Sequence, residues 1–144
     1  MESGSPLHVG INAQLVSFGE SYRNAGVSRY TYTLLDGLSR QNSDQRYTAF
    51  ISEREASASA ASGLATTDGM RLVAARWPTA QPTRRILWEQ VALPGELRRE
   101  QIDVFHSPVN VLPERLPCAS VVTVHDLAFV HYPQYFRPAR RIYQ

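Results

Sequence analysis

Three short stretches of this 144-residue chain carry side chains suited to chemistry: His125-Asp126 inside VVTVHDLAF (121–129), His106-Ser107 inside IDVFHSP (102–108), and Gly26 with Arg29 inside GVSRY (26–30). Histidine and aspartate are costly to bury unless partnered. Their position at the end of an apolar run therefore implies either a cleft wall or a fully satisfied structural pair. Gly26 opens a helical stretch, so close backbone approach and free amides there would suit a phosphate, with Arg29 as a charged donor. Plainer roles stay open: a turn glycine at 26, an exposed Arg29 beside a core Tyr30, a structural His125, and a helix N-cap at Asp126. A Ser107, His125, Asp126 triad lacks the nucleophile-elbow sequence. His106, His125 and Asp126 lack a metal-ligand spacing, so no metal is assigned.

The surrounding pattern supplies the elements that would hold these groups. LHVGINAQLV (7–16) alternates Leu7, Val9, Ile11 and Ala13 on one face and predicts a first strand. A polar loop, 17–26, leads to a helix opening near 26–28 and fading by Asn42, with Val27, Tyr30 or Thr31, Leu34 and Leu38 inward. RYTAFIS (46–52) predicts a second strand, 53–69 a mobile surface loop with at most a short helix, and RLVAARW (71–77) a third strand. TRRILWEQVALPGELRRE (83–100) is helical on both sides of Pro94, which should split it into two short pieces. IDVFHSP and ASVVTVHD are apolar runs of the kind found in central strands covered on both faces. RPARRIYQ (137–144) starts a further helix after Pro138. Alternating strands and helices predict an α/β fold: a Rossmann-like open, mostly parallel sheet with helices on both faces. Ligands of such sheets bind beyond the carboxyl ends of the strands, which is where all three stretches fall.

Composition narrows the classes. A chain of this length forms about one domain, taken as 7–144 behind a disordered tail at 1–6. Charged residues make up 19% and no apolar run nears the roughly 20 residues of a membrane span. A lone Cys118 offers no disulfide or thiolate cluster, so a reducing, cytoplasmic setting is expected. All 15 basic residues are arginine, against 13 acidic ones, and their clusters lack interleaved aromatics, which argues against nucleic acid. Arg137, Arg140 and Arg141 suit either a solvated helix face or peripheral contact with the inner face of a membrane.

Taken in order, GINAQLVS, NAGVSRYTYTLLDGLSRQ, RILWEQVALPGEL, DVFHSPVNVLP and VVTVHDLAFVHYPQYFRPARRIYQ resemble the N-terminal domain of family 4 (group 1) retaining glycosyltransferases, especially bacterial mannosyltransferase-like members. The resemblance runs from Val9 to Gln144. It implies the acceptor-side half of a two-domain GT-B enzyme that moves a sugar from a nucleotide-sugar donor to a glycan or lipid-linked acceptor hydroxyl. It places the loop ending at Gly26 near the donor diphosphate and His125 at the sugar. Asp126 would shape that loop, with Ser107 and Asn110 on the acceptor side. No cofactor is implied. Where the family loop carries paired glycines, Ala25 precedes Gly26 here.

The family's donor-binding domain, with its two-glutamate motif, has no counterpart in these residues. The chain is therefore expected to be silent in catalysis alone and to dimerise through the surface that domain or a further helix would cover. Two rivals remain: a non-catalytic Rossmann-like module that docks on a separate catalytic domain, and an unrelated nucleotide-binding enzyme. The second lacks a full glycine fingerprint after the first strand and an acidic residue ending the second.

Overall fold

The structure is a computed structural model, and it describes residues 5–18, 26–41, 43–59, 69–127, 131 and 134. Most of the tail, residues 60–68 of the expected loop, and the arginines and helix expected at 137–144 lie outside the described residues. In chain order the elements are β1 (His8–Ala13), α1 (Val27–Arg40), β2 (Arg46–Ile51), α2 (Glu53–Ser59), β3 (Met70–Ala74) and α3 (Pro82–Leu87). A π-helical turn (Trp88–Ala92), α4 (Leu93–Arg99), β4 (Val104–Ser107) and β5 (Ala119–Val122) complete them. The sheet runs in the order β3-β2-β1-β4-β5 with every pairing parallel.

The period-two alternation of β1 sorts its side chains to two cores. Ile11 and Ala13 face α1 and α2, in a cluster with Leu35, Ala49, Ile51 and Met70. The opposite face carries Phe50 and Phe105 against Trp88, Leu93, Leu97 and Ile102 from the helical run 82–99 and the residues after it. Gly10 belongs to that second face, where an added Cβ would lie 3.0 Å from Ile102 Cγ2 and 3.2 Å from Phe50 Cε2. Only a glycine leaves that space to its neighbours. Helices therefore cover both faces, as the sequence pattern predicts.

Pro94 does separate two α-helical pieces, but the join is a π turn rather than a gap. Proline lacks an N–H and its ring crowds the carbonyl four residues back, so an unbroken α ladder is strained there. The widened turn relieves this: Leu93 N–H bonds Trp88 O, five residues back, and Pro94 falls in the first turn of α4, where its missing donor is harmless. At the other end of α4, Gln101 adopts φ 54°. Ile102 N–H reaches back to Leu97 O at 3.0 Å and Gln101 N–H to Arg98 O at 3.1 Å, a left-handed helix stop made without glycine. That stop delivers Ile102 to the notch over Gly10.

Two expectations, on the buried face of α1 and on β5, are corrected. The buried stripe of α1 is Ser28, Thr31 and Leu35, while Tyr30 is 40% exposed. Polar side chains occupy the inner face because they are satisfied locally: Thr31 Oγ1 donates to Val27 O at 2.8 Å, and Ser28 Oγ accepts from Ser17 N–H at 3.0 Å. The short helix allowed for within 53–69 is α2, over residues 53–59. And β5 is an edge strand among the described residues, exposed at all four positions, whose ladder stops at Val122 rather than running to His125. Its partner β4 ends at Ser107, and Pro108 has no N–H to extend the pairing, so Thr123 N–H to Ser107 O at 2.9 Å is the last rung.

Candidate functional site

The strand order reverses between β1 and β4, and the crevice at that switch point is where open α/β sheets hold ligands. Three of its features come from the stretches singled out above. The chain leaving β4 turns at Pro108–Asn110, and the chain leaving β5 crosses it. His125 N–H bonds Asn110 Oδ1 at 3.1 Å, and His125 Nε2 lies 2.7 Å from Pro108 O. A carbonyl oxygen only accepts, so Nε2 carries the hydrogen. With its hydrogen on Nε2, that tautomer presents Nδ1 as an acceptor, and Nδ1 has no hydrogen-bond partner among the described residues. On its flank, Tyr30 from the first turns of α1 meets the imidazole edge to face, ring centroids 5.0 Å apart at 83°. The imidazole is thus exposed yet held in position from two sides.

Gly26 caps α1 at φ 60°, ψ −121°, a backbone shape that side-chain-bearing residues avoid, and a Cβ there would touch nothing. Its requirement is conformational rather than steric. Among the described residues the first turn of α1 has no side-chain cap and no acidic residue, an arrangement whose positive dipole end favours an anion.

Arg29 points to a separate cavity of about 360 Å³ with Ser17, Phe18 and Tyr32. Ser107 does not line an open surface: it is fully buried, and its hydroxyl lies 2.7 Å from Val111 O and 3.2 Å from Val109 O. It shapes the 108–111 turn that in turn positions His125. Asn110 is part-buried beside His125, and Asp126 is exposed. Leu127 O accepts from His131 N–H at 3.0 Å, a helix-type bond beginning just after Asp126. His106 faces inward from β4, paired with Thr123 Oγ1 at 2.8 Å, and burial holds its pKa below the ordinary histidine value. No group of three His, Cys, Asp or Glu side chains among the described residues is arranged to hold a metal.

A larger cavity, about 550 Å³, opens beyond the carboxyl ends of β1, β2 and β3. Gln14, Ser28, Ser52, Arg54, Thr79 and Arg85 line it. Sequence reading drew none of these together. Local pattern gives no sign of the grouping: Arg85 adjoins Arg84 in a helical stretch, and Thr79 lies between Pro78 and Pro82. What joins them is tertiary: Asn12 Nδ2 donates to Glu89 Oε1 at 3.0 Å, and the same carboxylate oxygen lies 4.0 Å from Arg85 Nε. Glu89 sits in the π turn, so that turn couples β1 to the cavity wall.

A five-stranded, all-parallel sheet in this order, with helices on both faces, defines an open, Rossmann-like α/β domain. The family model for Glycosyltransferase Family 4 matches residues 24–144, and the chain belongs to that family. No curated protein and no solved structure matches the chain. Among the described residues no helix is long and apolar enough to cross a membrane.

Proposed function

We propose that this chain is the N-terminal, acceptor-side half of a retaining glycosyltransferase that moves a hexosyl unit, mannosyl in the members it most resembles, from a nucleotide-sugar to an acceptor hydroxyl. The observation that carries the reading is His125. Its Nε2–H is committed to Pro108 O, so Nδ1 is left to accept a hydroxyl of the ligand at the switch-point crevice. The uncapped first turn of α1 supplies the complementary part, a field and free amides for the leaving diphosphate. In this reading His125 orients the sugar and need not take a proton. A donor-binding domain completes the site, and without it both positioning and charge stabilisation are lost.

The test is transfer from a panel of radiolabelled nucleotide-sugars by the complete gene product beside residues 1–144. Turnover by the complete protein alone, reduced about 100-fold in His125→Ala, is the expected result. Turnover unchanged by His125→Ala would remove the histidine from the site, and no turnover with any donor would sink the transferase reading. A second reading, a module that docks on a separate catalytic chain, draws on the exposed apolar edge formed by Val121, Val122, Val124 and Leu127. Its signature is activity that appears only on mixing two gene products.

A further inference from the structure

Two hydrogen bonds hold His125, yet neither fixes the plane of its ring. Asn110 Oδ1 accepts the backbone N–H at 3.1 Å and Pro108 O accepts Nε2–H at 2.7 Å, so the main chain and one corner of the imidazole are anchored. The torsion χ2 of histidine joins an sp³ to an sp² carbon and has a broad profile, and a turn about Cβ–Cγ displaces Nδ1 further than Nε2. The bond to Pro108 O therefore restrains least the atom that has to meet a ligand. His125 is exposed, so core packing does not supply the missing restraint.

Tyr30 does. Its ring meets the imidazole at 83° with centroids 5.0 Å apart, the edge-to-face arrangement that aromatic quadrupoles favour, and turning the imidazole in either direction changes that angle. Tyr30 does not owe this place to the core. The buried stripe of α1 is Ser28, Thr31 and Leu35, and Tyr30 stands off it at 40% exposure. Its direction is set by the helix start: Gly26 at φ 60° turns the chain into α1, and Tyr30 N–H to Gly26 O at 3.0 Å is the first rung of that helix. The contact thus joins the helix that follows β1 to the chain that leaves β5, one on each side of the switch point.

We infer that Tyr30 is a positioning residue for His125: its ring, rather than its hydroxyl, fixes the imidazole plane and so the direction from which Nδ1 accepts. The effect on turnover rests on the transferase reading above, whereas the restraint itself is a property of this chain alone. Where His125 orients a sugar for reaction, a looser imidazole costs turnover more than affinity, because the other contacts to the ligand stay in place.

The test has two arms. In residues 1–144 labelled at histidine, ¹³C relaxation reads the order parameter of the His125 Cδ2–H bond. It should fall in Tyr30→Leu and recover in Tyr30→Phe, with the thermal midpoint of both variants unchanged because Tyr30 lies outside the core. In the complete protein, Tyr30→Leu should lower kcat about tenfold while KM for the nucleotide-sugar stays within about twofold, and it should add nothing once His125→Ala is present. Tyr30→Phe should restore kcat. An order parameter equal in all three proteins overturns the inference, as does a loss of turnover in Tyr30→Leu that is as large without His125 as with it. Failure of Tyr30→Phe to restore both readouts overturns it too, since the ring would then not suffice. A complete protein that transfers no sugar discards the transferase reading, and the relaxation arm then decides the restraint by itself.

Discussion

At the scale of single residues, the groups that matter most act through the backbone they hold. Ser107 looks like a ligand contact in the sequence, but its buried hydroxyl tethers the carbonyls of Val109 and Val111. Ser107→Ala should lower the unfolding free energy in urea by about 1 kcal/mol, since the part-buried Val111 carbonyl loses its donor while Val109 O keeps the Val111 N–H. An effect below a few tenths of a kcal/mol would show that water replaces it freely. Gly26 makes a different demand. Its φ of 60° excludes a β-carbon for conformational reasons alone, so Gly26→Ala should cost about 1–3 kcal/mol with no clash involved. Thermal melts of the two proteins, which should differ by several degrees, check it.

At the scale of elements, two strands carry desolvated histidines, His8 buried and His106 part-buried. His8 in β1 pairs with Thr48 Oγ1 at 2.8 Å and His106 in β4 with Thr123, and burial is the leading cause that holds both pKa values below the ordinary one. The unfolded chain then binds more protons between the lowered values and the ordinary value of about 6.5. Stability is full above that value and is lost as pH falls through the window. The urea midpoint should therefore be lower at pH 5.5 than at 7.5, and His106→Gln should flatten the fall. Glu96 in α4 has the opposite sign, its pKa raised chiefly by desolvation, so the stability it adds is full below its ordinary value and is lost as pH rises through the raised one. A midpoint independent of pH in this range would show that neither imidazole is buried as described. The stop of α4 offers a separate test: Gln101 sits in a left-handed conformation without the glycine that usually serves there. Gln101→Gly should raise stability by roughly 1 kcal/mol, read from the same urea curves.

At the scale of the whole molecule, β5 forms an edge that is apolar and exposed among the described residues, with Val121 at 52% and Leu127 at 51%. Unpaired strand edges of this kind recruit other strands. Light scattering of residues 1–144 across a concentration series should show reversible dimers, and Val121→Lys should abolish them. A clean monomer at every concentration counts against that use of the edge.

Sequence alone determined the architecture. Alternation in LHVGINAQLV, the apolar run around Phe105 and the helical spacing between them specify a parallel sheet covered on both faces, because periodicities of 2 and 3.6 decide which side chains can be buried together. It also placed His125 and Gly26 at the carboxyl edge, since a strand end is legible from its neighbours. Tertiary structure decided what those residues do. That His125 is locked to Pro108 O, that Tyr30 flanks it instead of entering the core, and that Ser107 is buried all depend on contacts between segments far apart in sequence. The cavity of Gln14, Arg54, Thr79 and Arg85 is the extreme case. Its members lie on four separate segments, each unremarkable in its local pattern, and only the packing of three strand ends brings them together.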